Sequence, residues 1–196
     1  MTHEIETKIE LSEQSFRHIL SHSSVLETIE QLNVYYDCND AVAARSGSLR
    51  IRYVKGMAPV MTLKLPVDRA GGKRTSSEIE APITQRFPPR VLRHSQMPSA
   101  IAAAVAQLCT RSPRRLGAMR NTRTVVRLPG GDIVEMDELT LPGGVVFYEV
   151  EIEHASDSVH DSAVASIQAL TEDWKWSARG KFQRFRAAIS RSRRTD

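Results

Sequence analysis

Thr2-His3-Glu4-Ile5-Glu6-Thr7-Lys8-Ile9-Glu10-Leu11 alternates charged and apolar residues with period two: Glu4, Glu6, Lys8 and Glu10 fall in one column, Ile5, Thr7, Ile9 and Leu11 in the other. Alternate residues of a strand project to the same face about 6.6 Å apart, so this stretch reads as a strand with one charged and one apolar face. The same alternation recurs at 28–37, 48–55, 58–67, 74–83, 115–128, 131–140 and 145–154, which predicts eight strands in all. Arg50 and Arg52 oppose Leu49, Ile51 and Tyr53. Thr62 and Lys64 oppose Met61, Leu63 and Leu65, and Glu78 and Glu80 oppose Ile79 and Ala81. Further on, Asn121, Arg123 and Arg127 oppose Thr122, Thr124 and Val126; Glu135 and Asp137 share a column; and Glu149, Glu151 and Glu153 oppose Val150 and Ile152.

For any one strand, a charged column is most simply the solvated face of a sheet packed on its apolar side. The eight strands together are sorted by sign, however, with acids on the first, seventh and eighth and bases mainly on the third, fourth and sixth. Like charges on one column repel unless a metal or an opposite charge compensates them. Carboxylates at this spacing offer the oxygen ligands that Mg2+ or Mn2+ prefers, and Arg and Lys hold phosphate oxygens by charge-assisted hydrogen bonds. A metal–phosphate ligand satisfies both sets. Eight antiparallel strands close into a barrel whose bore the charges would line, while a sandwich with a buried apolar layer gives the same alternation.

Between the strands, Ser12 as an N-cap precedes the helical spacing of Phe16, Ile19 and Leu20; an Ala-rich helix is expected from Pro98 to Leu108, a third after Asp157 or Ser158, and a fourth over 178–190. Pro129-Gly130-Gly131 and Pro142-Gly143-Gly144 make the last three strands a meander, and Gly71-Gly72-Lys73 reads as a tight turn rather than a phosphate-binding loop. At 196 residues, 41% hydrophobic and 26% charged, the chain is expected to form one domain over 1–190 with a basic tail at 191–196. Its two cysteines, Cys38 and Cys109, suggest neither a disulfide nor a zinc site, and the six histidines sit in no metal-ligand spacing. No apolar stretch fits a signal peptide or a membrane span, so a soluble cytoplasmic protein without membrane contact is expected. The net charge of +4 favours an anionic partner without saying which.

Glu4-Ile5-Glu6-Thr7-Lys8 is the ExExK motif of the CYTH, or triphosphate tunnel, family, and the sequence is similar to that family in further motifs taken in order. These are Tyr35-Tyr36-Asp37, Gly47-Ser48-Leu49-Arg50-Ile51-Arg52, Thr62-Leu63-Lys64, Ser77-Glu78-Ile79-Glu80, Arg123, Asp137, Glu149-Val150-Glu151 and Lys181. The likeness spans nearly the whole chain and is nearest to a bacterial branch. It implies an α+β fold: a closed eight-stranded antiparallel β-barrel, or tunnel, with helices packed outside, binding a triphosphate with divalent metal. The chain departs from the family at Asn121, where lysine is frequent, at Cys38, where threonine is, and in lacking the His-Phe pair that class IV adenylate cyclases place before ExExK.

On this resemblance the expected function is metal-dependent hydrolysis of a small-molecule triphosphate, inorganic or carried by a nucleoside or thiamine, by metal-activated water inside the tunnel. The metal set is Glu4, Glu6, Asp137, Glu149 and Glu151; the substrate-binding set is Lys8, Arg50, Arg52, Lys64, Arg123 and Lys181; and Glu4, Glu6, Lys8, Glu149 and Glu151 form the catalytic group. Mg2+ or Mn2+ is the expected cofactor. Glu10 and Glu153 are expected as solvated charges at the barrel ends, with Glu135 divided between tunnel and rim. A class IV-type adenylate cyclase and a non-catalytic polyphosphate-binding module stand as alternatives, and RNA is ranked last as a partner. The preferred triphosphate and the oligomeric state are not legible.

Overall fold

β1 (Thr2–Leu11) is the strand that closes the sheet. In the computed structural model, residues 2–70, 73–153 and 156–192 are described, apart from the side chains of 2–4, 69, 70, 73, 157 and 192. The Gly71-Gly72 turn and the tail beyond 192 therefore lie outside the described residues. Residues 6–11 of β1 pair antiparallel with β8 (Val146–Glu153), and residues 2–7 pair antiparallel with β5 (Lys73–Pro82). From β5 the sheet continues through β4 (Val60–Ala70), β3 (Ser48–Val54), β2 (Ser24–Asp37), β6 (Arg114–Arg127) and β7 (Ile133–Thr140) back to β8. The result is a closed antiparallel barrel of eight strands, which settles the choice between barrel and sandwich.

Two departures from the expected strands have local causes. β2 begins at Ser24 rather than 28, because a register shift between Val25 and Glu27 against β6 breaks the alternation at that end. A ninth strand, β9 (Trp174–Trp176), adds to β1 where β5 has left it, with Ile9 opposite Trp176 and Leu11 opposite Trp174. Three residues are too few to carry a periodic signal.

The apolar columns face outward and are covered. α1 (Glu13–Ser21) starts at Ser12, whose Oγ accepts from Ser15 N at 3.2 Å, and buries Phe16 and Ile19. Together with Ala163, Val164 and Ile167 of α4 (Asp157–Leu170), these side chains cover Ile9, Val126, Val134, Met136, Val150 and Ile152 on the outer wall. On the opposite side α3 (Ser99–Leu108) lays Ile101 and Val105 over Leu49, Ile51, Met61 and Leu63. Ile9 and Ile101 are fully buried, and truncating either to Ala would cost about 2–5 kcal/mol.

α2 (Ala41–Ala44) is a single turn held by Asp37, whose carboxylate accepts from Cys38 N at 2.7 Å and from Val42 N and Ala43 N at 3.0 Å. The aspartate of the Tyr35-Tyr36-Asp37 motif is therefore a cap. Cys38, just after it, is joined to Cys109 at the end of α3 by a disulfide. This corrects the expectation that the two cysteines stay apart: 71 residues separate them in sequence, and sequence spacing carries no information about a bridge between a turn and a helix end.

α5 (Lys181–Ser192) sits differently from the outer helices. Phe182 and Phe185 pack with Tyr35, Met119, Leu139 and Leu141, which follow the same inward columns as Arg50, Arg123 and Asp137. The helix thus seals one end of the barrel with an apolar layer and points its first residue, Lys181, toward the charged interior.

Candidate functional site

The inward columns converge on a cavity of about 560 Å³ whose lining includes Glu6, Lys8, Arg50, Arg52, Lys64, Arg123, Glu151 and Lys181. All but one of the expected site residues have described side chains; eight line the cavity, and Asp137 and Glu149 lie fully buried beside it on the same inward columns as Glu135 and Glu151. The exception is Glu4, whose side chain lies outside the described residues; its backbone pairs with Ser76 in β1 and β5.

The acids gather on the wall formed by β7 and β8. Asp137 and Glu149 are opposite one another in register and completely buried, and Glu151 follows on the same column. Asp137, Glu149 and Glu151 each offer a carboxylate oxygen within 4.8 Å of the others. Three cations hold this cluster together. Arg123 donates from Nε to Asp137 Oδ1 at 2.9 Å and from Nη2 to Asp137 Oδ2 at 2.7 Å, and pairs also with Glu135 and Glu151. Lys181 Nζ lies 2.5 Å from Asp137 Oδ2, 2.7 Å from Glu151 Oε1 and 3.2 Å from Glu149 Oε1. Lys8 pairs with Glu151 and, at 3.0 Å, with Glu6 Oε2.

This environment fixes charge states. Burial alone would raise the Asp137 pKa, but Lys181 and then Arg123 outweigh it and hold the carboxyl well below the usual range. Burial opposes the Arg123 charge, and the hydrogen bonds and charge of Asp137 reverse that, leaving the guanidinium more firmly protonated than usual. Lys8 is lowered to about 8, chiefly by burial, with Lys181 and Lys64 adding and Glu6 opposing.

The bases of β3 and β4 face the acids across the cavity, and they are less well matched. Lys64 Nζ pairs with Glu78 at 2.7 Å and Glu6 at 3.3 Å, and Thr62 donates to Glu80 at 2.6 Å, so the two glutamates of β5 position their neighbours. Arg50 and Arg52 form no ion pair among the described residues, and the Nε atom of each is buried without a hydrogen-bond partner. Arg52 is lowered to about 10 by burial and by the Arg50 and Arg123 charges. Glu149, although 3.2 Å from Lys181, has neither oxygen in a hydrogen bond; the distance permits attraction and the angle does not permit donation. The wall thus carries uncompensated positive groups on one side and a carboxylate with spare lone pairs on the other.

Some participants were not assigned from sequence. Tyr35, opposite Arg50 in register, is buried at the cavity floor against Phe182 and Phe185. Asn121 donates to Asp137 at 2.9 Å and so replaces a cation with a neutral donor in the acidic wall. Glu135 belongs to the tunnel side through Arg123, and Glu153 lines the cavity. Glu10 is held by Arg184 at 2.8 Å and Lys175 at 2.7 Å, which ties α5 to β1 rather than leaving a free end charge. Ion pairing of this kind is set by the distant C-terminal elements and leaves no periodic signal.

A charged, cation-rich tunnel closed by eight antiparallel strands defines a class, and comparison with known proteins names it. Residues 2–185 match the CYTH domain family model, and the chain belongs to that family. No curated protein matches it. Among solved structures it is similar to HpAC1 from Hippeastrum, a candidate adenylyl cyclase described as revealing a dominant triphosphatase activity, with 23% identity over 94% of this chain and 95% of that one and a TM-score of 0.76. A candidate adenylate cyclase from Bacillus halodurans matches at 20% identity over 94% and 99% of the two chains, TM-score 0.67. The PH1819 protein from Pyrococcus horikoshii OT3 matches at 18% over 89% and 94%, TM-score 0.57. At these identities the likeness establishes the fold. No helix among the described residues is long and apolar enough to cross a membrane.

Proposed function

We propose that the protein hydrolyses a triphosphate, inorganic or carried by a nucleoside or thiamine, with a divalent cation, Mg2+ or Mn2+. The observation that carries this reading is a mismatch between the two sides of the barrel interior: Arg50 and Arg52 each with a buried Nε that finds no acceptor, and Glu149, ion-paired with Lys181, with neither oxygen in a hydrogen bond. A row of phosphates and a hard cation between them would satisfy both.

The donor set fits such a cation. Asp137, Glu149 and Glu151 supply clustered carboxylate oxygens, all from buried side chains, and Glu6 on β1 is linked to Glu151 through Lys8. Bound there, the cation would neutralise phosphate charge and acidify water. The chain's own groups do the rest. Arg50, Arg52 and Lys64 hold the phosphate oxygens, and Lys8 and Lys181 meet the charge that develops on the leaving diphosphate. Arg123, already engaged by Asp137, Glu135 and Glu151, orients the acids more than it grips substrate. Glu149 Oε2 is the acceptor available to the proton of a water attacking the terminal phosphorus.

The test is phosphate release from inorganic triphosphate, ATP and thiamine triphosphate with Mg2+ or Mn2+, comparing wild type with Glu4→Gln/Glu6→Gln and with Glu149→Gln. Cation-dependent release that collapses in both variants supports the reading, and the fastest substrate names the subclass. Tight triphosphate binding without release would sink it and leave a polyphosphate-binding module. The candidate cyclases among the structural neighbours favour a second reading, so cyclic nucleotide is measured in the same ATP reaction. The Cys38–Cys109 disulfide removes the argument from cysteine usage for a cytoplasmic setting.

A further inference from the structure

Between Ala81 and Gly131 the chain contains no Asp, Glu or Lys, but nine Arg. The rest of the chain holds 18 Lys and Arg against all 23 acidic residues, so this stretch carries +9 and the remainder −5, which makes the net +4. Whole-chain charge conceals that asymmetry. Of the nine, Arg123 faces the cavity and Arg127 donates to Gly131 O at 3.2 Å.

Six of the others gather on one outer strip. The segments 86–93 and 111–115 lie side by side: Arg115 N donates to Arg90 O at 2.9 Å, Leu92 N to Pro113 O at 2.8 Å, and Val91 bridges to Arg114. Arg86, Arg90, Arg93, Arg111, Arg114 and Arg115 are all exposed, and none forms an ion pair among the described residues. None lines the cavity. Within the strip Phe87 is 81% exposed, and the Pro88-Pro89 pair beside it is anchored by Tyr36, whose hydroxyl donates to Pro89 O at 3.0 Å.

A solvated face normally mixes signs, because uncompensated like charges repel. Here they are concentrated on a backbone stiffened by Pro88, Pro89 and Pro113, and every one is arginine, whose planar fork matches a phosphate and whose face stacks on bases. The strip is built of loop and strand, and the 3-10 turn His94–Gln96 that follows Arg93 is too short to enter the groove of a duplex. A basic track with an aromatic platform is the pattern that holds unpaired strands. Insertion into a lipid surface would rest on Phe87 and the partly exposed Val91 alone.

We propose that this outer arginine strip binds single-stranded nucleic acid through its phosphates, with Phe87 as a stacking platform, independently of the tunnel. Whole-chain charge names no particular anionic partner, whereas the local charge of this strip favours a nucleic acid.

The test is fluorescence anisotropy of a 3′-labelled 12-nucleotide oligouridylate with a 5′-hydroxyl end, so that it brings no triphosphate to the tunnel, in the presence of saturating inorganic triphosphate. Wild type should bind with an affinity that falls with salt at a log–log slope of about −2 to −4, the value for three to six phosphates contacted. Arg90→Glu/Arg114→Glu/Arg115→Glu should weaken binding at least thirtyfold on the order expected for removing and reversing three contacts, with triphosphate hydrolysis unchanged. Phe87→Ala, at an exposed site that does not threaten folding, should weaken it about tenfold with the salt slope unaltered. Equal binding by wild type and both variants would overturn the proposal, as would wild type that binds phosphatidylserine vesicles and ignores the oligonucleotide. Neither result depends on whether the tunnel hydrolyses anything.

Discussion

Lys181 Nζ, on the first residue of α5, lies 2.5 Å from Asp137 Oδ2 in the wall of the barrel and contacts Glu149 and Glu151 as well. The ammonium therefore stands among the same three carboxylates that would hold a divalent cation. A divalent cation bound there would compete with the ammonium, and the helix that seals the barrel would be tied to the outcome.

Lys181→Met should accordingly bind Mn2+ more tightly than wild type, by roughly tenfold or more, while releasing phosphate more slowly. Without metal the variant leaves buried carboxylates short of a partner and should lose about 3–5 kcal/mol of stability. Titration calorimetry with Mn2+ and urea unfolding with and without the ion measure both. A variant whose metal affinity is unchanged would show that Lys181 and the cation occupy separate places.

Lys8 gives a pH signature in the metal-free protein. Its folded pKa of about 8 lies below the ordinary 10.5, so between those values the unfolded chain binds more protons than the folded one. Stability should then rise with pH across that window, by an amount on the order of 2–4 kcal/mol. Lys8→Met should lack the rise. Urea midpoints from pH 7.5 to 10.5 in both proteins test it, and parallel curves would remove the claim that burial dominates at Lys8.

The barrel was legible because eight strands keep their alternation, and the sign of each column pointed to the metal–phosphate ligand proposed above. Asp137, Glu149 and Glu151 lie where the columns put them. What the columns could not show is pairing across the bore. Arg123 could be seen as a phosphate ligand, yet its neighbours across β7 and β8 engage it through three carboxylates. Tyr35 and Phe185 were visible as a motif residue and a helix stripe, but that α5 turns inward and seals the barrel end depends on contacts between residues about 150 positions apart. The Cys38–Cys109 bridge was missed for the same reason.

That disulfide closes a span of 71 residues between the β2–α2 turn and the end of α3. Reduction, or Cys109→Ser, should lower stability by about 2–4 kcal/mol, since the unfolded chain regains the freedom the link removes. Urea unfolding with and without reductant measures the loss. The serine variant should be insensitive to reductant; a reductant effect that persists in it would show that the link is not the cause.

Arg50 and Arg52 offer a prediction in which stability and binding move in opposite directions. Each presents a buried Nε with no acceptor, and burial with the Arg50 and Arg123 charges works against the Arg52 charge. Replacing Arg52 with Met keeps much of the stem's packing and removes that unfavourable charge, so the ligand-free variant should be more stable by about 1 kcal/mol. The same change removes charge-assisted hydrogen bonds to phosphate, each worth about 1.5–3 kcal/mol, and should weaken triphosphate binding by roughly ten- to a hundredfold. Thermal unfolding without ligand and calorimetric titration with inorganic triphosphate report the two effects separately. A variant that loses stability without ligand would mean that Arg52 is satisfied within the fold, and the case for phosphate at that wall would then rest on Arg50 alone.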